Sequence, residues 1–277
     1  MKTEKRSAPS LANTGERLMT DNHTDTAIEH LHRYALACEL ATGLDVLDIA
    51  CGEGYGSNLL AGCAKSVVGV DVAADSVAHA AVKYRRHNLR YAHGSATAVP
   101  LPDAAVDLVV SFETIEHLRQ HDEMLSELRR VLRPGGRVII SSPDRRYYSE
   151  ATDHMNPFHL RELSCDEFRE LIARFFPHSR LLRQRIVNGS LIVPEGSIAG
   201  FREYRGDFAG FRGHPLLQEA MYDVIVASDD PLPDWPLSLW SGTPAVEPGL
   251  TATKHRPGVL GRLAREMRRI FRQVSGT

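Results

Sequence analysis

The chain reads as an α/β fold built on a mostly parallel, doubly wound sheet. Three observations predict it. Short, valine-rich apolar runs alternate with amphipathic helical segments between residues 44 and 141. One of the strands runs straight into a tight glycine turn, Gly52-Glu53-Gly54-Tyr55-Gly56. The next strand ends close to an acid, Asp71. A βαβαβ order of this kind implies a parallel sheet covered by helices on both faces.

The elements follow from local patterns. Residues 1 to about 23 are polar and lack apolar periodicity, which predicts a flexible arm. Ala27, Ile28, Leu31, Tyr34, Ala35 and Cys38 then recur at helical spacing, with Thr24 as N-cap and Gly43 beyond the end. Strands are expected at Leu44–Ala50, Ser66–Val70, Leu89–Ala92, Val106–Phe112 and Arg137–Ser141. Helices are expected at Gly54–Ala64, Ala74–Arg86 and His121–Leu132, the last with Met124, Leu125, Leu128 and Leu132 on one face. Arg133-Pro134-Gly135-Gly136 ends that helix and turns the chain. Residues 144–163 read as a polar and aromatic loop, and Ser164 with Glu167 as a capping box for a helix to about Phe175. Leu181–Val187 and Met221–Ala227 are two more strands, with an insertion at about 188–218 between them.

Two further segments follow this core. The domain runs over 24–228, a proline-rich linking segment over 229–257, and a basic amphipathic helix over 258–277. In that tail Leu260, Leu263, Met267, Ile270, Phe271 and Val274 form one stripe, and five arginines cover the rest. The stripe suits packing, a protein partner or peripheral contact with anionic lipid.

Composition narrows the function. Apolar residues make up 43% and charged residues 25%, and the net charge is −2, so no whole-molecule attraction to nucleic acid is expected. Cys38, Cys51, Cys63 and Cys165 form no CxxC pair and read as reduced thiols of a cytoplasmic protein. The polar start does not read as a signal peptide, and no apolar run reaches bilayer length.

The strongest signal is Val46-Leu47-Asp48-Ile49-Ala50-Cys51-Gly52-Glu53-Gly54-Tyr55-Gly56. Glycines permit positive φ and close backbone approach to a ligand. In a parallel sheet such a turn lies at the carboxyl ends of the strands, where ligands bind. Asp71, 23 positions after Asp48, suits a ribose diol. The glycine spacing is GxGxG, not GxGxxG, and Asp48 would repel a pyrophosphate. A carboxylate there suits a cationic ligand, which favours S-adenosylmethionine over NAD.

These residues resemble the first motif of class I S-adenosylmethionine-dependent methyltransferases. The resemblance implies that Asp48, Ala50, Gly52 and Gly54 surround the amino-acid part of S-adenosylmethionine and that Asp71 holds the ribose. Ala50 stands where that family often has glycine. Val72 would pack on the adenine. Ser95 and Ala96, in Gly94-Ser95-Ala96, stand where the family often has an acid reaching the adenine amine. Arg33 or Tyr34 would reach the cofactor's carboxylate from the leading helix, and Glu113 closes the set at the exit of the fourth strand. Leu132-Arg133-Pro134-Gly135-Gly136 matches the family's turn before the fifth strand. The fold class expected is therefore a Rossmann-like, doubly wound, mostly parallel seven-stranded sheet with an antiparallel last strand, plus the helical tail.

The acceptor side is expected at the same sheet edge. His117, His154 and His159 are the candidate general bases, since a neutral imidazole suits that task near pH 7. With the nearby acids they show no compact ligand spacing in sequence, so no metal is expected. Met155-Asn156-Pro157-Phe158-His159-Leu160-Arg161-Glu162-Leu163 resembles a segment of methyltransferases of bacterial cell-surface polysaccharide and glycan pathways. It implies a sugar hydroxyl as acceptor. Phe201, Tyr204, Phe208 and Phe211 could stack on a sugar ring, and Arg202, Arg205 and Arg212 could bind an acidic group. A methyltransferase for a quinone, phenol or natural product, and a non-catalytic scaffold that binds S-adenosylmethionine, are the alternatives.

Overall fold

The computed structural model describes residues 11, 17–20, 25–153, 155–187, 203–207, 210–214, 216–217 and 219–239. The expected basic helix at 258–277, most of the proline-rich segment, His154, and Phe201, Arg202 and Phe208 lie outside the described residues. No helix among the described residues is long and apolar enough to cross a membrane.

The elements alternate as the pattern predicts. They are α1 (Asp25–Ala41), β1 (Asp45–Ile49), α2 (Tyr55–Leu60), β2 (Ser66–Asp71), α3 (Ala74–Lys83), β3 (Leu89–His93) and β4 (Val106–Ser111). After these come α4 (His121–Val131), β5 (Leu132–Pro143), α5 (Cys165–Ala173), β6 (His178–Gln184), β7 (Glu203–Asp207), β8 (Gly210–His214) and β9 (Tyr222–Ser228). Seven strands form one sheet in the order β3-β2-β1-β4-β5-β9-β6. The first five are parallel, and β9 lies antiparallel to both β5 and β6. The fold is the Rossmann-like seven-stranded sheet that the sequence predicts.

Side chains alternate across the sheet, so each central strand feeds two cores. Leu47, Ile49, Val109 and Ile140 face the layer built by Met124, Leu125, Leu128 and Phe168. Val46, Leu108, Val110 and Ile139 face Tyr34, Ala37 and Leu60 on the other side. All of these residues are buried, and this two-sided burial fixes β1 and β4 as the rigid centre from which the site loops emerge.

Several details depart from the sequence reading. The Arg133–Gly136 turn lies inside β5 as a bulge: Val106 pairs with Leu132, and Leu108 already pairs with Arg137. The Arg133 guanidinium bonds Asp45 at 3.0 Å and Asp107 at 2.8 Å, tying the starts of β1 and β4 together. The 144–163 segment contains one π-helical turn, Arg146–Glu150, and a bridge from Asp144 to Leu163. The Ser164–Glu167 capping box is present in both directions. In the insertion, β7 and β8 form a separate two-stranded hairpin. Tyr204, Arg205, Phe211 and Arg212 lie on it, but their side chains are outside the described residues.

The N-terminal arm is also partly placed. Thr20 bonds the buried Glu53 at 3.0 Å, and Lys83 bonds both Thr20 and Glu53. Tyr84 completes the Glu53 set at 2.8 Å. Residues 17–20 therefore pack on the glycine turn, where a loose arm was expected, because a buried carboxylate needs those donors.

Candidate active site

The glycine turn is built from inside the protein. Gly52 (φ +54°) and Gly54 (φ +95°) both adopt left-handed backbone that side chains avoid. A Cβ at Gly54 would meet Ala80 at 2.6 Å, and one at Gly56 would meet the Tyr34 ring at 2.0 Å. Gly54 and Gly56 are thus glycines because α3 and α1 press on the turn. Among the three, Gly52 is the one whose backbone lines the cavity described below. Ala50 stands at φ +58°, which explains why glycine suits this position better.

Two acids brace the turn. Asp71 accepts from Gly52 N and Ala73 N, both at 2.8 Å, and so closes the loop against the end of β2. Asp48 is buried behind the turn, where Tyr34 Oη donates at 3.1 Å and Ser57 Oγ at 2.6 Å. Burial pushes its carboxyl up to about 7. Its side chain therefore faces the protein interior, a physical reason to read it as a support behind the loop.

One cavity of about 310 Å³ opens at the carboxyl ends of β1 and β4. Tyr34, Ala50, Gly52, Glu113, His117 and His159, all singled out from the sequence, line it. Arg33, Asp48, Gly54, Asp71, Val72, Ser95 and Ala96 do not line it. Val72 is 70% exposed, next to the turn. Ser95 Oγ pairs with Thr97 Oγ1 at 2.9 Å and accepts from Thr97 N, while Ala96 is buried.

Arg33 is 2% exposed and forms an ion pair with Glu113 at 2.5 Å. Ser141 Oγ bridges the pair, donating to Glu113 at 2.6 Å, and the guanidinium lies 4.7 Å from the Tyr222 ring centroid. The pair holds Glu113 at φ +49°, a strained turn at the exit of β4. Glu29, buried beside this pair, has its carboxyl raised to about 7 by burial. Nε and Nη2 of Arg33 and Nη1 of Arg17 have no hydrogen-bond partner among the described residues.

The far end of the cavity gathers residues distant in sequence. The backbone carbonyl of Glu116 accepts from Leu160 N at 2.8 Å and Arg161 N at 3.0 Å, docking the 156–162 loop on the short helix Ile115–His117. His117 Nδ1 pairs with the Phe158 carbonyl at 3.1 Å, and His159 Nδ1 with Glu162 Oε1 at 2.5 Å. The two imidazoles meet edge to face at 5.0 Å, and Tyr148 stacks on His159. Glu116, His117 and His159 each offer a donor atom within 4.8 Å of the others. The spacing along the chain hides this compact set, which forms only because the Glu116 carbonyl draws the 156–162 loop in.

Sequence reasoning gave no role to Arg17, Tyr55, Phe112, Tyr148, Asn156 or Tyr222, which also line the cavity. Asn156 lies in the 155–163 run already singled out, whereas Arg17 falls in the arm expected to be loose. The aromatic residues carried no signal beyond ordinary core character.

Residues 47–140 match the family model described as a methyltransferase domain. The chain is 45% identical over 140 residues to a Mycolicibacterium smegmatis protein named "probable S-adenosylmethionine-dependent methyltransferase", a stretch covering 50% of this chain and 54% of that protein. It is 29% identical over 128 residues to a ubiquinone biosynthesis O-methyltransferase of Bradyrhizobium, covering 46% of this chain and 51% of that one. The chain thus spans about half the length of the curated relatives it matches. A S-adenosylmethionine-dependent methyltransferase structure from Archaeoglobus fulgidus superposes with TM-score 0.52 at 18% identity, over 73% of this chain and 92% of that chain. The glycine turn, Asp71 and the Glu113–His117 exit of β4 all fall inside the stretch that matches the methyltransferase-domain model, and the sheet that carries them has the Rossmann-like order of such folds.

Proposed function

We propose that this chain transfers the methyl group of S-adenosylmethionine to a hydroxyl oxygen of a sugar, on a glycan or a sugar-containing intermediate. The observation that carries the reading is the single cavity that joins the glycine turn to the histidine end. Its size lies within the range of small-molecule sites.

When bound, S-adenosylmethionine supplies a methyl carbon on a positively charged sulfur whose departing form is neutral. The chain's own residues supply the rest. The open backbone at Ala50 and Gly52 lets an amino-acid moiety approach closely. The unpartnered Nη1 of Arg17, a residue that lines the cavity, fits its carboxylate, while Arg33 holds Glu113 in place from behind. Asp71 offers acceptor oxygens for the ribose diol, and exposed Val72 an apolar face for the adenine. Ser95 and Ala96 border that face, and Asp48 supports the turn from behind. Tyr55, Phe112, Tyr148 and Tyr222 wall the acceptor space and keep water out. The new O–C bond forms as the C–S bond breaks, and the electron pair stays on sulfur. The hydroxyl proton leaves at the end occupied by His117 and His159.

The aromatic walls, together with the ubiquinone-pathway relative, favour one second reading, a phenol or quinol acceptor. Incubation with labelled S-adenosylmethionine and a panel of sugar nucleotides, lipid-linked oligosaccharides, phenols and quinols separates the two. Turnover of phenols or quinols alone rejects the sugar acceptor. Calorimetry that detects no S-adenosylmethionine binding rejects the whole reading.

A further inference from the structure

We propose that Glu116, His117 and His159 hold a divalent first-row transition-metal ion at the acceptor end of the cavity. This deepens the reading of that cavity as a methyl-acceptor site and rests on it for the ion's purpose, though not for its binding.

The first argument is donor geometry. The three donor atoms lie within 4.8 Å of one another, and His117 Nε2 lies 3.9 Å from Glu116 Oε1. An ion with bonds of roughly 2.0–2.2 Å needs donors about 3–4 Å apart, so side-chain rotations of less than about 1 Å complete the set.

The second argument is tautomer control. A backbone carbonyl can only accept, so His117 Nδ1 is the protonated nitrogen facing Phe158 O. A carboxylate fixes His159 Nδ1 in the same way through Glu162. Both rings then carry their lone pair on Nε2; that of His159 accepts from Asn156 Nδ2 at 2.9 Å, a bond that an incoming ion replaces. Metal-ligating histidines are oriented by this same pattern, with the second N–H held by a carbonyl or carboxylate. Ser149 Oγ bonds the other oxygen of Glu162, which anchors the support one step further out.

The third argument is burial. Glu116 is 1% exposed, and its carboxylate lies beside His117 Nε2. His159 is mostly buried too, while the cavity gives both access from solvent. Two imidazoles and one carboxylate suit Mn²⁺ through Zn²⁺ better than Mg²⁺, which prefers an all-oxygen shell. Three protein ligands leave open positions facing the acceptor space. A substrate hydroxyl bound there is held close to the incoming methyl carbon and gives up its proton to water more readily. His117 and His159 then act as ligands, and the ion takes over the acid–base role.

The test uses the full, untagged chain, stripped with a chelator and titrated separately with Mn²⁺, Co²⁺ and Zn²⁺. Calorimetry gives the stoichiometry, and the visible spectrum of Co²⁺ reports imidazole ligation. One equivalent should bind with micromolar or tighter affinity. His159→Gln and Glu116→Gln should each weaken it at least tenfold, with unchanged circular dichroism. Glu162→Gln, which alters only the support of His159, should weaken it less; it serves as the test if the ligand variants fail to fold. Failure of all three ions to bind, or binding equally tight in the variants, overturns the site. S-adenosylmethionine binding is measured on the same metal-free protein. Its loss would reject the methyltransferase reading and leave the metal result standing; its presence without metal binding rejects the ion alone.

Discussion

The two ends of the cavity are built by opposite means. The glycine turn is local: residues 48–57 and Asp71 define it, and β1, β2 and α2 position it directly. The histidine end is assembled: residues 113–117 and 148–162 meet through a few long-range bonds, chiefly to the Glu116 carbonyl and between Arg33 and Glu113. The difference teaches that a tight glycine turn can be written largely in one stretch of chain. The opposite end of the same cavity depends on loops whose docking is a tertiary event.

Removing the buried ion pair is the strongest way to break this contrast. Arg33→Met leaves Glu113 charged without its cationic partner, held by the Ser141 hydroxyl, and chemical denaturation should show a loss of about 3–5 kcal/mol. The histidine end should loosen first, seen as faster amide exchange at 113–117 and 156–162 than in residues 48–57. Equal loosening of both ends would erase the distinction.

Asp71→Ala probes the local end. It removes the two acceptors that close the turn and the proposed ribose contact, so S-adenosylmethionine affinity should fall by about 1–3 kcal/mol by calorimetry. Unchanged affinity would place the ribose elsewhere.

A pH effect follows from Glu29, whose carboxyl is raised from 4.5 to about 7. Between those values the folded chain holds a proton that the unfolded chain releases. Glu29 therefore stabilises the fold fully below about pH 4.5, and that contribution is lost as pH rises through about 7. Glu29→Gln should lessen the fall in stability between pH 4.5 and 8 by on the order of 1–2 kcal/mol, read from denaturation curves at several pH values. Asp48, raised to about 7, and Asp223, raised to about 6, keep a residual slope of the same sign.

The smallest effect sharpens the account of the turn. Ala50→Gly removes left-handed strain at φ +58° and should raise stability by roughly 0.5–1 kcal/mol, less if the added freedom of the unfolded chain offsets the gain. A clear loss would mean that the methyl group of Ala50 makes contacts worth more than the strain.

Much of the domain was legible because its signals are short-range. Valine-rich strands, the Ser164–Glu167 box and the GxGxG turn each depend on neighbours a few residues apart. The roles inside the turn were less legible. Asp48 looked like a rim charge but is buried under Tyr34 and Ser57, and Gly54 and Gly56 are shaped by α3 and α1. Residues 17–20 looked loose because their partners, Glu53 and Lys83, lie more than 30 positions away.

The sequence by itself determined the order of strands and helices, the place of the turn, and the acid that closes it, because periodicity and backbone freedom act within a few residues. Only the tertiary structure decided that Arg33 pairs with Glu113, and that His159 comes to lie against His117 and Glu116. Those contacts join segments about 40 to 80 positions apart. Their partners are chosen by burial and by the need to satisfy buried polar groups, which no local pattern records.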